Sequence, residues 1–203
     1  MTFLYTNIVM VEKLYIDTKY YFGKNAIVDN LSQEIKNKKA KTVFLLYGSS
    51  SIKKNGIYDQ VINEIKKAKV KLVEHSGIQP NPLTSDCDKA ILEGRKHKVD
   101  LIIAVGGGSV IDEAKVVATC IPNTNIKKSW SIMRNIELAP KKAIPIFSII
   151  TLAATGSESN YGAVITNTET KDKWAVQTYD RPCVCFEDPT YTYSVSKWQT
   201  GSG

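Results

Sequence analysis

From residue 42 onward, apolar and polar positions alternate between two periods. The run VFLLY (43–47) is wholly apolar, as a strand buried on both faces must be. The next segment, GIYDQVINEIKKAK, sets Ile57, Val61, Ile62 and Ile65 on one helical stripe. VKLVEH (70–75) predicts a second strand. SDCDKAILEGRKHK predicts a helix with Cys87, Ala90 and Ile91 inward, opened by Ser85 and Asp88 at capping-box spacing. LIIAV (101–105) predicts a third strand, SVIDEAKVVATC a helix burying Val110, Ile111, Ala114 and Val117, and AIPIFSII (143–150) a fourth strand. Strands alternating with helices of this length make βαβ units and a parallel sheet. Beyond residue 150 the pattern breaks into the short β-type runs GAVITN, KWAVQTY and CVCFED, which predict an antiparallel ribbon added to the sheet. The N-terminal segment, rich in Tyr, Ile and Val, also reads as strand.

Composition narrows the class. The 203 residues are 43% hydrophobic, enough for a real core. No apolar run reaches the roughly 18 residues that a membrane helix needs, and no secretory signal opens the chain, so a cytoplasmic, membrane-free protein is expected. The net charge of +7 is spread over helical faces (Lys36, Lys38, Lys39, Lys66, Lys67, Lys69) rather than gathered among aromatics, which argues against a nucleic-acid partner. Cys87, Cys120, Cys183 and Cys185 form no CxxC pair and read as packed thiols, the last two on one strand face.

The candidate chemistry lies where the third strand hands over to a helix. Gly106, Gly107 and Gly108 cost backbone entropy and offer no packing. Such a turn bares successive amides beside the positive end of a helix dipole, and the missing Cβ atoms admit a pyrophosphate. Ser109 adds a hydroxyl. Asp112, one turn on, can reach a ligand hydroxyl or hold free N–H groups. The spacing is not G-x-G-x-x-G, but three other predicted strand ends carry small polar residues: YGSSSIKK, PNP (80–82) and TLAATGSESN. Four such ends on one sheet edge indicate a polar cleft.

The stretches YGSSSIKKNGIYDQV, SGIQPNP, AVGGGSVIDEAK, PIFSIITLAATGSESNYGAVITNTETKDKW and EDPTYT resemble the iron-containing alcohol dehydrogenases, most closely the butanol-dehydrogenase-type branch. The resemblance implies an α/β fold: a Rossmann-like, mostly parallel sheet with flanking helices plus an antiparallel ribbon. It divides residues 1–203 into an N-terminal strand region (1–22), a cofactor-binding core (23–190) and a link (191–203) to a helical metal domain that this sequence lacks. Carried over by position, Gly107, Gly108 and Ser109 bind the pyrophosphate, Thr151 and Thr155 line its other side, Asn81 lies near the adenosine, and Asn160 and Lys173 surround the nicotinamide and its ribose. At Gly48, Ser49 and Ser51 the first strand end is neutral, with Lys53 and Lys54 behind it, where NAD-preferring relatives carry an acid. NADP is therefore favoured and NAD is second choice.

Complete members of the family hold iron or zinc with an aspartate and three histidines. Here only His75 and His97 occur, both upstream of the ligand region, so no ligand set and no catalytic residue can be named. The expectation is the NADP-binding part of a metal-dependent alcohol dehydrogenase, without turnover of its own. The alternative is a non-catalytic dinucleotide-binding or dimerising fragment, a homodimer through Phe3–Ile16 being implied by the resemblance.

Overall fold

The computed structural model describes residues 17–133 and 142–202. The segment expected to pair two copies, Phe3–Ile16, lies outside them. The predicted alternation is present: β1 (Lys19–Phe22), α1 (Ala26–Asn37), β2 (Thr42–Tyr47), a single turn α2 (Ser51–Lys54), α3 (Ile57–Ala68), β3 (Lys71–Ser76), α4 (Thr84–His97), β4 (Leu101–Gly106), α5 (Gly108–Cys120), β5 (Ile146–Ile150), β6 (Gly162–Thr166), β7 (Lys173–Gln177), β8 (Val184–Glu187) and α6 (Lys197–Ser202). Short 3-10 turns occupy Ser129–Met133, Ser157–Ser159 and Pro189–Thr192.

Six strands form one wholly parallel sheet in the order β1-β8-β5-β4-β2-β3. Every residue of β2, β4 and β5 is buried, which explains their unbroken apolar runs: both faces are covered. One cluster joins Val43, Leu45 and Tyr47 to Ile57, Val61 and Ile65 of α3 and to Ile27, Leu31 and Ile35 of α1. The other joins Phe44 and Leu46 to Ala90 and Ile91 of α4 and to Val110, Ile111, Ala114 and Val117 of α5. The connection leaving β2 therefore covers one face and that leaving β4 the other. Adjacent parallel strands whose chains depart to opposite faces open a crevice at their carboxyl ends. Here that crevice lies between β2 and β4.

Three expectations need correction. CVCFED does not belong to the ribbon: β8 inserts into the parallel sheet between β1 and β5, and Val184, Cys185 and Phe186 are buried there. The antiparallel pair consists of β6 and β7 alone and forms its own two-stranded sheet, with Ile165 opposite Trp174. Cys183 precedes β8 and packs with the α1/α3 cluster, whereas Cys185 faces the other, so the two thiols do not share a face. All four cysteines are free. Finally, no capping box starts α4. Its N-cap is Leu83, and the Ser85 amide donates instead to Thr168 Oγ1 at 3.1 Å, from the turn joining β6 to β7. Asp88 accepts from the Ser129 amide at 2.7 Å. The helix start is stitched to distant chain, which local spacing cannot reveal.

The ribbon also explains why α5 is buried all round, Glu113, Lys115 and Thr119 included. The helix is packed against β4 on one side and β6 on another, with α4 alongside.

Candidate functional site

Because the sheet is parallel, all six strand ends lie on one edge. At the end of β4, Gly107 takes extended dihedrals (φ −89°, ψ −169°) and its carbonyl accepts from the Val110 and Ile111 amides, closing the first turn of α5. The amides of Gly107, Gly108 and Ser109 precede that closure and have no intrahelical partner, which puts them at the positive end of the helix dipole. All three residues are half-buried rather than sealed.

The glycines are there for different reasons. A Cβ on Gly106 would stand 2.6 Å from Val110 Cγ2, and one on Gly108 would stand 2.6 Å from Thr155 Cγ2. Both glycines permit close packing beneath and beside the turn. A Cβ on Gly107 would meet only Leu152, at 3.6 Å, an ordinary contact. Packing leaves Gly107 free to vary, so its bareness serves the surface of the turn.

Residues distant in sequence converge on this turn. The Asn81 amide donates to Ser109 Oγ at 3.3 Å, with Asn81 itself left-handed (φ 59°), and Lys173 Nζ donates to Asn81 Oδ1 at 2.6 Å. The Thr151 amide donates to Gly106 O at 3.2 Å, and Thr155 Oγ1 accepts from the Ser157 amide at 3.3 Å. Gly48 lies across the β2/β4 crevice, its carbonyl accepting from Gly77, with Ser49 and Ser51 exposed beyond it. Thus Asn81, Ser109 and Lys173 are hydrogen-bonded in series, and Thr151 and Thr155 sit directly on the glycine turn.

Two candidates are occupied otherwise. Asp112 accepts from Ser157 Oγ at 2.5 Å and from the Val164 amide at 2.9 Å, so both oxygens hold peptide segments in place, the second of the two roles open to it from sequence. Asn160 Oδ1 accepts from Lys115 Nζ at 3.1 Å and from the Gly162 amide at 2.8 Å, while Nδ2 donates to Gly156 O. Lys115 was not foreseen. It is fully buried, and burial pulls its ammonium down to about 8 despite the Asp112 and Glu158 charges that raise it. Its only sequence signal is a charge six residues after Ser109, at the start of the apolar half of α5.

A depression of about 410 Å³ lies beside the glycine turn rather than on it, between the loops after β5 and β8. Ala153, Ala154, Glu158, Asp188 and Phe22 line it. At the β2 end, Lys53 Nζ lies 5.5 Å and 4.8 Å from the ring centres of Tyr47 and Tyr58, whose hydroxyls both donate to Glu74 Oε2. A cation held on two rings, next to a carboxylate, is more constrained than the sequence suggested.

For the metal chemistry of the resembled family, the donors do not suffice. Two histidines cannot form a three-histidine set: His97 ends α4, and His75 lies on β3. Among the described residues no helix is long and apolar enough to cross a membrane.

Comparison with known proteins agrees with the geometry. The chain is 42% identical over 189 residues to NADH-dependent butanol dehydrogenase A of Clostridium acetobutylicum, covering 93% of this chain and 47% of that protein. It is 38% identical to the NADPH-dependent aldehyde reductase YqhD of Escherichia coli, covering 94% and 48%. Among solved structures, NADH-dependent butanol dehydrogenase A from Thermotoga maritima superposes with a TM-score of 0.85 at 40% identity, over 93% of this chain and 47% of that one. The chain thus spans about half the length of the relatives it matches. The sequence model for iron-containing alcohol dehydrogenase matches residues 17–189. With the parallel sheet, the bare turn and these matches in agreement, the chain belongs to the iron-containing alcohol dehydrogenase family.

Proposed function

We propose that this chain is the dinucleotide-binding half of an alcohol dehydrogenase that interconverts alcohol and aldehyde by hydride transfer. The observation that carries the reading is the trio of amides at Gly107–Ser109, without a bonded partner among the described residues, half-open at the start of a 13-residue helix and beside the β2/β4 crevice. On this reading the amides and Ser109 Oγ donate to a diphosphate, with the Thr151 and Thr155 hydroxyls on its other side. Lys173, exposed and held by Asn81, adds a cation to the rim. Asp112 and Asn160 act indirectly, fixing the 156–164 segment against α5. The bound dinucleotide supplies the hydride carrier; the chain itself binds and orients it. Alcohol turnover then calls for metal ligands that these 203 residues do not contain. The same reading pairs two copies of the complete protein through the N-terminal strand.

For the cofactor, the neutral Gly48-Ser49-Ser50-Ser51 strand end with Lys53 fixed behind it supports NADP(H). A second reading, NAD(H), is supported by Glu74 at the neighbouring strand end and by the names of the butanol dehydrogenase relatives. Fluorescence titration of the chain with NADPH and NADH tests both. The expected result is binding of either at submillimolar concentration, with NADPH tighter by about threefold or more. Tighter NADH establishes the second reading, and no binding of either at millimolar concentration refutes the site. Light scattering with and without residues 1–18 tests the pairing, which fails if both forms have the same mass.

A further inference from the structure

His75 is far from idle. It lies on β3, with its side chain 10% exposed, and three carboxylates surround it. Nε2 is 3.5 Å from Asp86 Oδ2 and 3.7 Å from Glu113 Oε1, and Nδ1 is 3.5 Å from Glu93 Oε2. Asp86 and Glu93 come from α4 and Glu113 from α5. Phe44 presents its ring to the imidazole at 6.2 Å, closing the inner side.

These separations are too long for hydrogen bonds, which run to about 3.2 Å. They match the ligand-to-ligand edge of a tetrahedral metal site, about 3.4 Å for bonds of about 2.1 Å. Glu113 is fully buried, and both of its carboxylate oxygens, like His75 Nε2, have no hydrogen-bond partner among the described residues. Buried polar atoms are normally satisfied, so three orphans in one cluster require an explanation. One ligand atom from each of His75, Asp86 and Glu113 fits within a 4.8 Å spread.

We propose that His75, Asp86 and Glu113 bind a divalent transition cation, Zn²⁺ by preference, through one imidazole nitrogen and two carboxylate oxygens. The donor set suits Zn²⁺ and its neighbours better than Ca²⁺ or Mg²⁺, which take oxygen alone. Glu93, facing Nδ1, supplies the outer carboxylate that orients a ligating imidazole and directs the Nε2 lone pair at the ion. Asp86 and Glu93 are partly exposed, giving the ion a route in from the α4 side and leaving one position for water. The ion would pin edge strand β3 to α4 and α5. The site uses donors distinct from the aspartate and three histidines of the resembled family, and it does not depend on the dinucleotide reading: Asp112 faces the ribbon, whereas Glu113 faces α4 and β3.

The test loads the EDTA-treated chain with Co²⁺ alone, read by visible d–d absorption, by calorimetric titration and by thermal melting. Expected are one equivalent bound at about 10 μM or tighter, a low-symmetry spectrum, and a melting midpoint raised by about 5 °C, with Zn²⁺ displacing Co²⁺. Glu113→Gln, which preserves shape, and Asp86→Asn, which lies on the rim, should each weaken binding tenfold or more, while His97→Ala leaves it unchanged. Wild-type binding weaker than about 100 μM overturns the proposal, as does full retention in both Glu113→Gln and Asp86→Asn.

Discussion

Substituting alanine at Gly107 and at Gly108 separates packing from ligand contact at the α5 turn. At Gly108 the new Cβ would stand 2.6 Å from Thr155 Cγ2 and 3.0 Å from Thr155 Cβ, so the 151–156 loop must retreat by about 1 Å. Overpacking of that kind costs about 1–3 kcal/mol, offset by up to about 1 kcal/mol of helix propensity. The expected net loss is therefore about 1–2 kcal/mol. At Gly107 the nearest neighbour is Leu152 Cβ at 3.6 Å, and φ is already negative, so stability should stay within about 0.5 kcal/mol of wild type. Its methyl nevertheless stands beside the bare amides, against Leu152 of the 151–155 loop. If a diphosphate lies there, at least one charge-assisted hydrogen bond is lost or lengthened, about 1.5–3 kcal/mol, or roughly 10- to 150-fold in affinity. Urea melts and NADPH titrations on the same preparations provide both numbers. A Gly107→Ala protein that is as stable as wild type and binds NADPH within about twofold of it would refute the placement of the phosphates.

Lys115→Met should destabilise the chain by about 2–4 kcal/mol, because Gly162 O and Asn160 Oδ1 lose their buried donor; denaturant melts measure it, and a neutral outcome would show that the ribbon is held otherwise. Thr168→Val removes the acceptor for the Ser85 amide and should cost about 1 kcal/mol, seen as a lower melting midpoint. In metal-free buffer, stability should fall as pH rises from about 5 to 8. Burial, with Asp86 adding repulsion, pushes Glu113 up to about 8, so between the two values the unfolded carboxyl has ionised while the folded one keeps its proton. His75 Nε2 faces the same carboxylate at 3.7 Å, and Asp86 and Glu93 in turn face the imidazole. Glu113→Gln should flatten that slope and gain on the order of 1–3 kcal/mol above pH 7; an unchanged pH profile would show that Glu113 is ionised in the fold.

The strands buried on both faces were legible because nothing but apolar residues can occupy them: β2, β4 and β5 follow from VFLLY, LIIAV and IFSII. The glycine turn was legible too, since its residues adjoin in sequence and sit at a strand-to-helix junction. CVCFED was misplaced because four residues of β8 carry no information about which strands they join, and its polar neighbours resembled a ribbon. The Thr168 cap on α4, the Asp112–Ser157 bond and the Lys115–Asn160 bond each span more than forty residues, beyond any local spacing rule. His75 reads as a lone histidine in sequence; only the register of β3 against β2 and the packing of α4 on α5 bring its three carboxylates together.

The pairing of β1 with β8 has a consequence for synthesis. Lys19–Phe22 finds its hydrogen-bonding strand at Val184–Glu187, and that strand also completes the open side of β5. During translation, Lys19–Phe22 cannot dock on β8 until residues 184–187 have emerged, and β5 displays an unpaired flank until then. Such late closure slows folding and leaves sticky backbone in reach of other nascent chains, a task suited to a ribosome-associated chaperone.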